Sequence, residues 1–169
     1  MHETCKNGYA VPQRPLDSYD VRILDALQRD GSIGNNDLSK IVHLSASQCS
    51  RRRAALEKSG IIARYRASLN AEALGLKLHA IVRLNMQNHD NASDEALSKW
   101  LGAQPEIQSA FSISGDADYI LTERVEDLET FSLFIHERLL RQPQITQVRS
   151  EFVLKVLKDS EALQIKATV

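Results

Sequence analysis

The sequence predicts an α+β protein of two modules, a helical one followed by one that alternates strands with helices. Three observations carry that expectation. Apolar residues recur at helical spacing as far as Leu56, and at two-residue strand spacing from Leu78 onward. The charge changes sign between the halves: residues 1–77 hold twelve basic and eight acidic residues, residues 78–169 nine and fourteen. The 169 residues leave room for one domain or two small ones.

Composition sets the outer limits. A hydrophobic fraction of 43% and a charged fraction of 25% are those of an ordinary globular chain. No apolar run approaches the ~20 residues of a membrane helix, so no membrane partner is expected. Residues 1–15 lack the apolar core of a secretory signal and read as a disordered arm. Cys5 and Cys49 fall in unlike contexts, which argues against a disulfide framework and for a reducing, cytoplasmic compartment. The formal net charge of -1 hides a basic stretch: residues 45–66 carry six basic residues against the single acid Glu57. Such a module can contact phosphates while the acidic half stays off the nucleic acid.

The first helix opens after Leu16, with Asp17 as N-cap and Asp20 placed to complement the positive helix end. Ile23, Leu24 and Leu27 form its apolar stripe, and Gly31 is the stop signal. Ile33 bridges to a second helix capped by Gly34 or Asn35, whose inner face is Leu38, Ile41 and Val42. Val42-His43-Leu44 is then a tight turn. Its backbone calls for φ > 0, which His tolerates after Gly, Asn and Asp. Ser45 caps a third helix with Cys49 and Leu56 inside. Ser47, Gln48, Ser50, Arg51, Ala54 and Lys58 point outward at 100° per residue. Two short helices, a turn and an exposed Ser/Gln/Arg face constitute a helix-turn-helix suited to the major groove.

Within that helix, Arg51 and Arg52 are expected at nucleic acid rather than as a solvated surface pair. Arg53 lies near the buried side and admits two readings, a packed stem reaching solvent or an extra phosphate contact. Cys49 reads as a small core residue rather than a redox sensor. Ser59-Gly60 ends the helix, and IIARYRASLN is expected as a strand with Arg64 and Arg66 on one face. It would be either a wing or a hinge strand. The expected divisions are an arm over 1–15, a DNA-binding module over 16–77, a second module over 78–158 and a tail over 159–169.

The second module reads as βαββαβ, a ferredoxin-like split. LHAIVRLNM places Leu78, Ala80, Val82, Leu84 and Met86 on one face. QNHDNAS is a polar turn and DEALSKWLGAQP a helix with Leu97, Trp100 and Leu101 inward. IQSAFSIS and DYILTERV are strands around the tight loop Ser114-Gly115-Asp116-Ala117-Asp118. DLETFSLFIHERLLRQP is a helix burying Leu128, Phe131, Ile135 and Leu139, and ITQVRSEFVLKVL a long last strand. The loop offers two chemistries at once. Gly115 allows N–H groups close to a bound carboxylate, and Asp116 can accept from an ammonium group. An ordinary β-turn also favours Gly and Asp, so both readings stand.

Enzyme chemistry finds no constellation. The five histidines (His2, His43, His79, His89, His136) are scattered, and no phosphate loop, HExxH or CxxC occurs. Asp116, Asp118 and Glu123 are read as solvated carboxylates, so neither metal nor cofactor is expected. Two other classes compete: a nucleoid-type architectural DNA binder without effector response, and a pure amino-acid-sensing module, which the basic helix disfavours.

Three motifs resemble the Lrp/AsnC transcriptional regulators. They are LDxxDxxILxxLQxDGxI at Leu16–Ile33, LSxxxCxxRxxxLExxGII at Leu44–Ile62, and SGDADYIL at Ser114–Leu121. The resemblance spans about residues 16–158. It departs from the family at Gln48 and Arg53, where Pro and an aliphatic residue are frequent. It implies a winged helix-turn-helix joined to an α/β-sandwich domain that binds a small effector, commonly an amino acid. It implies sequence-specific regulation of transcription from double-stranded DNA, and the residues expected at the DNA are Ser45, Ser47, Gln48, Ser50, Arg51, Arg52, Arg53, Lys58 and Arg64. It further implies dimers paired through their sheets, commonly four to an octameric ring. The effector would sit near Ser114, Gly115, Asp116 and Asp118, with Glu151 and Phe152 affecting the response.

Overall fold

A computed structural model describes residues 15–87, 90–159 and 162–167, so the expected arm falls almost wholly outside the described residues. The chain divides into two compact units. One holds the sequence up to Ser68 together with the segment from Asp159 onward, and the other is Leu69–Lys158. The division therefore falls before the expected boundary at residue 78, and the tail belongs to the helical unit.

In that unit, α1 (Ser18–Arg29), α2 (Asn35–Val42) and α3 (Ala46–Lys58) enclose a core of Ile23, Leu24, Leu27, Leu38, Val42, Cys49 and Leu56. Local chemistry sets each boundary as expected. Asp17 accepts the Tyr19 and Asp20 amides at 2.9 and 2.8 Å. Gly34 occupies the N-cap of α2. His43 takes the left-handed conformation, φ 57° and ψ 46°, and turns the chain between α2 and α3. Ser45 and Gln48 form a reciprocal capping box. One core assignment needs correction: Ile41 is 53% exposed, because the narrow inner face of an eight-residue helix is filled by Leu38 and Val42.

The expected strand over residues 61–70 is absent. After Gly60 (φ +74°) the segment pairs with no other strand among the described residues. It is held instead at Tyr65, whose ring stacks on the Arg53 guanidinium 4.5 Å from the ring centroid.

The second unit is an antiparallel four-stranded sheet in the order β2-β3-β1-β4 with helices on one face. Its elements are β1 (Leu78–Met86), α4 (Asn91–Gly102), β2 (Ile107–Ser112), β3 (Tyr119–Val125), α5 (Leu128–Phe134) and β4 (Ile145–Phe152). The core takes Ala80, Val82, Leu84 and Met86 from β1, as their alternation requires, with Leu97, Leu101, Leu121, Phe131, Phe134, Ile135 and Leu139. Three details differ from expectation. Helix α4 begins earlier because Asp90 caps it, accepting the Ser93 amide at 2.9 Å. Leu128 opens α5 and is 59% exposed, and Phe134 is buried beside Phe131. A π turn at Ile135–Leu139 then carries Ile135 and Leu139 inward. Strand β4 ends at Phe152 opposite Ala80, well short of the expected Leu157, and one further bond, from the Val153 N–H to the His79 carbonyl at 2.9 Å, follows it.

Candidate nucleic-acid interface and effector loop

The capping box makes the start of α3 rigid. The Ser45 N–H donates to Gln48 Oε1 at 3.0 Å, and the Gln48 N–H donates to Ser45 Oγ at 3.3 Å. Ser47 Oγ lies 3.1 Å from Ser45 Oγ. Ser45, Ser47, Gln48 and Arg51 line one shallow open depression. Ser50 and Lys58 are exposed on the same helix, and Arg64 is exposed in the segment beyond it. Arg51 makes no ion pair among the described residues, so its guanidinium is free for a partner. Gln48 shares its acceptor oxygen with the cap and keeps its amide donors.

Arg52 and Arg53 are placed differently from Arg51. Arg52 turns inward, donating through Nη1 to Asp20 Oδ1 at 2.7 Å and meeting Asp17 Oδ2 at 2.8 Å. Its guanidinium also lies 5.5 Å from the Tyr19 ring centroid. The Asp20 hydrogen bond raises the Arg52 pKa. Partial burial works against ionisation of Asp17, yet the Asp20 amide and Arg52 hold its carboxyl below the usual range. Arg53 donates from Nε to Tyr65 Oη at 2.8 Å and from Nη1 to the Ile33 carbonyl at 3.1 Å. Glu57 accepts from Tyr65 Oη at 2.9 Å and completes that cluster. Arg52 was expected at nucleic acid and here engages Asp17 and Asp20, while Arg53 follows the packed one of its two readings. Both lock α3 to its surroundings; the sequence marks Asp17 and Asp20 as helix-start residues but not as partners of an arginine, and it does not single out Tyr65.

In the second unit Gly115, at φ +142°, allows a loop conformation that side-chain-bearing residues rarely adopt. Side chains fasten the loop to the end of β1. Asn85 Nδ2 donates to the Asp116 carbonyl at 3.1 Å, and the Met86 N–H donates to Asp118 Oδ2 at 2.7 Å. Asp118 is thus a loop anchor. Ser114 and Asp116 are exposed, and the Asp116 carboxylate has no partner among the described residues.

Glu151 and Phe152 stand apart from this loop. They pair with Ile81 and Ala80, three and four residues along β1 from Leu84 beside the loop, roughly 10–13 Å at strand rise. As consecutive strand residues they face opposite sides. Glu151 is on the open face with Arg83 (3.4 Å), and Phe152 is on the helix side, edge-on to Phe131 at 5.3 Å. One chain therefore does not gather all six expected effector residues into one site.

Known families match both units. The winged helix-turn-helix DNA-binding model matches residues 16–63, and the Lrp/AsnC ligand binding domain matches residues 79–163. A leucine-responsive regulatory protein of Haemophilus influenzae is 38% identical over 166 residues, covering 98% of this chain and 100% of its relative. A transcriptional regulator of Neisseria meningitidis, solved as its L-Met complex, superposes with TM-score 0.85 at 35% identity, over 88% of this chain and 96% of that one. An AsnC family regulator from Agrobacterium tumefaciens gives 0.84 at 30% identity, over 88% and 97%. With a three-helix unit that presents Arg51 and a βαββαβ unit that carries the Gly115–Asp116 loop, the chain belongs to the Lrp/AsnC family of transcriptional regulators, which are not enzymes.

Proposed function

We propose that this protein binds operator DNA sequence-specifically through α3 and that a small amino acid modulates that binding. The observation that carries the proposal is the free, exposed Arg51 beside Ser47 and Gln48, on a helix locked in place by the capping box and by Arg52. Ser47, Gln48, Ser50 and Arg51 read base edges in the major groove, while Ser45, Lys58 and Arg64 contact phosphates. Arg52 and Arg53 act as positioning residues behind that face.

The effector is bound at Ser114–Asp116, its carboxylate near the loop amides and its ammonium at Asp116. The Neisseria relative, solved with L-Met, supports the ligand class. A second chain supplies what one chain lacks. The open sheet face carries Ile81, Ile120 and Phe111 among polar residues, and Phe111 pairs with Ile120. Copies pair through that face into dimers, four dimers form an octamer, and Glu151 of one copy lies near the loop of another. The setting is the cytoplasm, on the nucleoid.

Footprinting on promoter fragments, with and without each of the twenty amino acids, tests the reading. Discrete sites spaced by about one helical turn and altered by an amino acid are expected. Uniform coverage unaffected by every amino acid would replace the regulator with an architectural DNA binder.

A further inference from the structure

The polypeptide leaves the DNA-binding unit at Ser68 and returns to it, because the segment from Asp159 onward belongs to that unit. Gln28 of α1 grips the returning segment at Leu163. The Gln28 side chain donates from Nε2 to the Leu163 carbonyl at 3.1 Å and accepts the Leu163 N–H at Oε1 at 2.6 Å. An amide that donates to and accepts from one residue's main chain imitates a neighbouring strand. It therefore fixes the register of a peptide without reading a side chain. Two residues on, Ile165 packs against the apolar core of α1, α2 and α3. Leu163 itself is 74% exposed, so its backbone is gripped and its side chain is not.

We infer that the face of α1 around Gln28 is a peptide-docking site, that residues 162–167 of this chain occupy it, and that the docked segment is a second tether between the two units. The link at Ser68–Leu69 joins the units once, and the docked segment closes a ring through residues 69–158. Because both partners are on one chain, the effective concentration is high and few contacts suffice to keep the site filled. Two links restrict the orientation of α3 more than one does. In a dimer that restriction sharpens the preference for one half-site spacing, a consequence that rests on the regulator reading.

Limited trypsin digestion of the full chain reads the docking, with mass spectrometry following the loss of residues 167–169 after Lys166. Cleavage in Gln28→Ala and in Ile165→Asp is expected to be about fivefold or more faster than in wild type, as local opening becomes easier. Equal rates in all three proteins overturn the docking. Gln28 is exposed, so Gln28→Ala should keep the wild-type circular dichroism spectrum and melting curve. The tether is read by affinity for paired half-sites at native spacing and at a spacing changed by about five base pairs, half a turn. Loosened variants should lose about threefold or more of the wild-type discrimination. Fast cleavage with full discrimination overturns the tether. If the wild type binds no discrete site, the regulator reading fails, and the cleavage ratio still decides the docking.

Discussion

Among the described residues each unit buries one carboxylate completely, and the two are treated in opposite ways. Asp20 of α1 and Glu123 of β3 are both 0% exposed. Asp20 meets Arg52 of α3 at 2.7 Å, so the charge is neutralised and two helices are joined across 32 residues of sequence. Both Glu123 oxygens lack a hydrogen-bond partner among the described residues. Loss of hydration, reinforced by nearby Glu106, pushes the Glu123 pKa up to about 7. Glu106 has its own cation, Arg138, which also donates to Gln104. A buried acid with a cation orients a recognition helix. The same group without one makes stability depend on pH.

Breaking the first pair should have the largest effect. Arg52→Ala removes the cation that meets buried Asp20 and should cost on the order of 3 kcal/mol of helical-unit stability, with DNA binding lost alongside. Urea denaturation of Arg52→Ala, Asp20→Asn and the double variant checks this. If Arg52 is an anchor, the double variant loses much less than the sum of the singles. Additive losses would return Arg52 to the nucleic-acid face.

Neutralising the second acid should stabilise, and only in one pH window. The unfolded chain ionises Glu123 near 4.5 and the folded chain near 7. Between those values the unfolded state holds fewer protons, so stability is full below about 4.5, falls as pH rises and levels off above about 7. Glu123→Gln should therefore raise stability by on the order of 1–3 kcal/mol at pH 8, several degrees in Tm, and change little at pH 4.5. Calorimetry at the two pH values reads the difference. An equal shift at both would mean that packing, and not charge, is responsible.

Arg51→Ala separates reading from positioning within the same arginine run. Operator affinity should fall about tenfold or more, the cost of about 1–3 kcal/mol for one bidentate base contact, while Tm stays at the wild-type value. Electrophoretic titration against operator and random DNA distinguishes base from phosphate. A similar loss on both, with the salt slope lower by about one unit, assigns Arg51 to phosphate.

The smallest effects on stability are expected in the loop. Asp118→Ala removes the acceptor of the Met86 N–H and should cost about 1 kcal/mol. Asp116→Ala removes a carboxylate with no partner, so it should leave Tm and effector-free DNA binding unchanged while abolishing the response to an amino acid. Melting curves, light scattering and titrations with and without amino acid cover both variants. A large Tm loss in Asp116→Ala would make Asp116 a structural turn residue.

What the sequence determined by itself acts over a few residues. The caps at Asp17, Gly34 and Ser45, the left-handed His43 and the alternation of Leu78–Met86 follow from φ/ψ preferences, orphan amides and side-chain period. The three family motifs were equally legible, and they extended the reading to both units. Only tertiary structure decided which arginine of Arg51-Arg52-Arg53 stays free, because helical period places a side chain within about one turn while its partners come from other elements. Asp20 lies across the helix crossing, and Tyr65 lies in a segment that alternates like a strand but pairs with no strand among the described residues. The exposure of Ile41, the end of β4 at Phe152 and the return of Leu163 to Gln28 have the same origin. Each depends on where a distant segment comes to rest, which local periodicity does not encode.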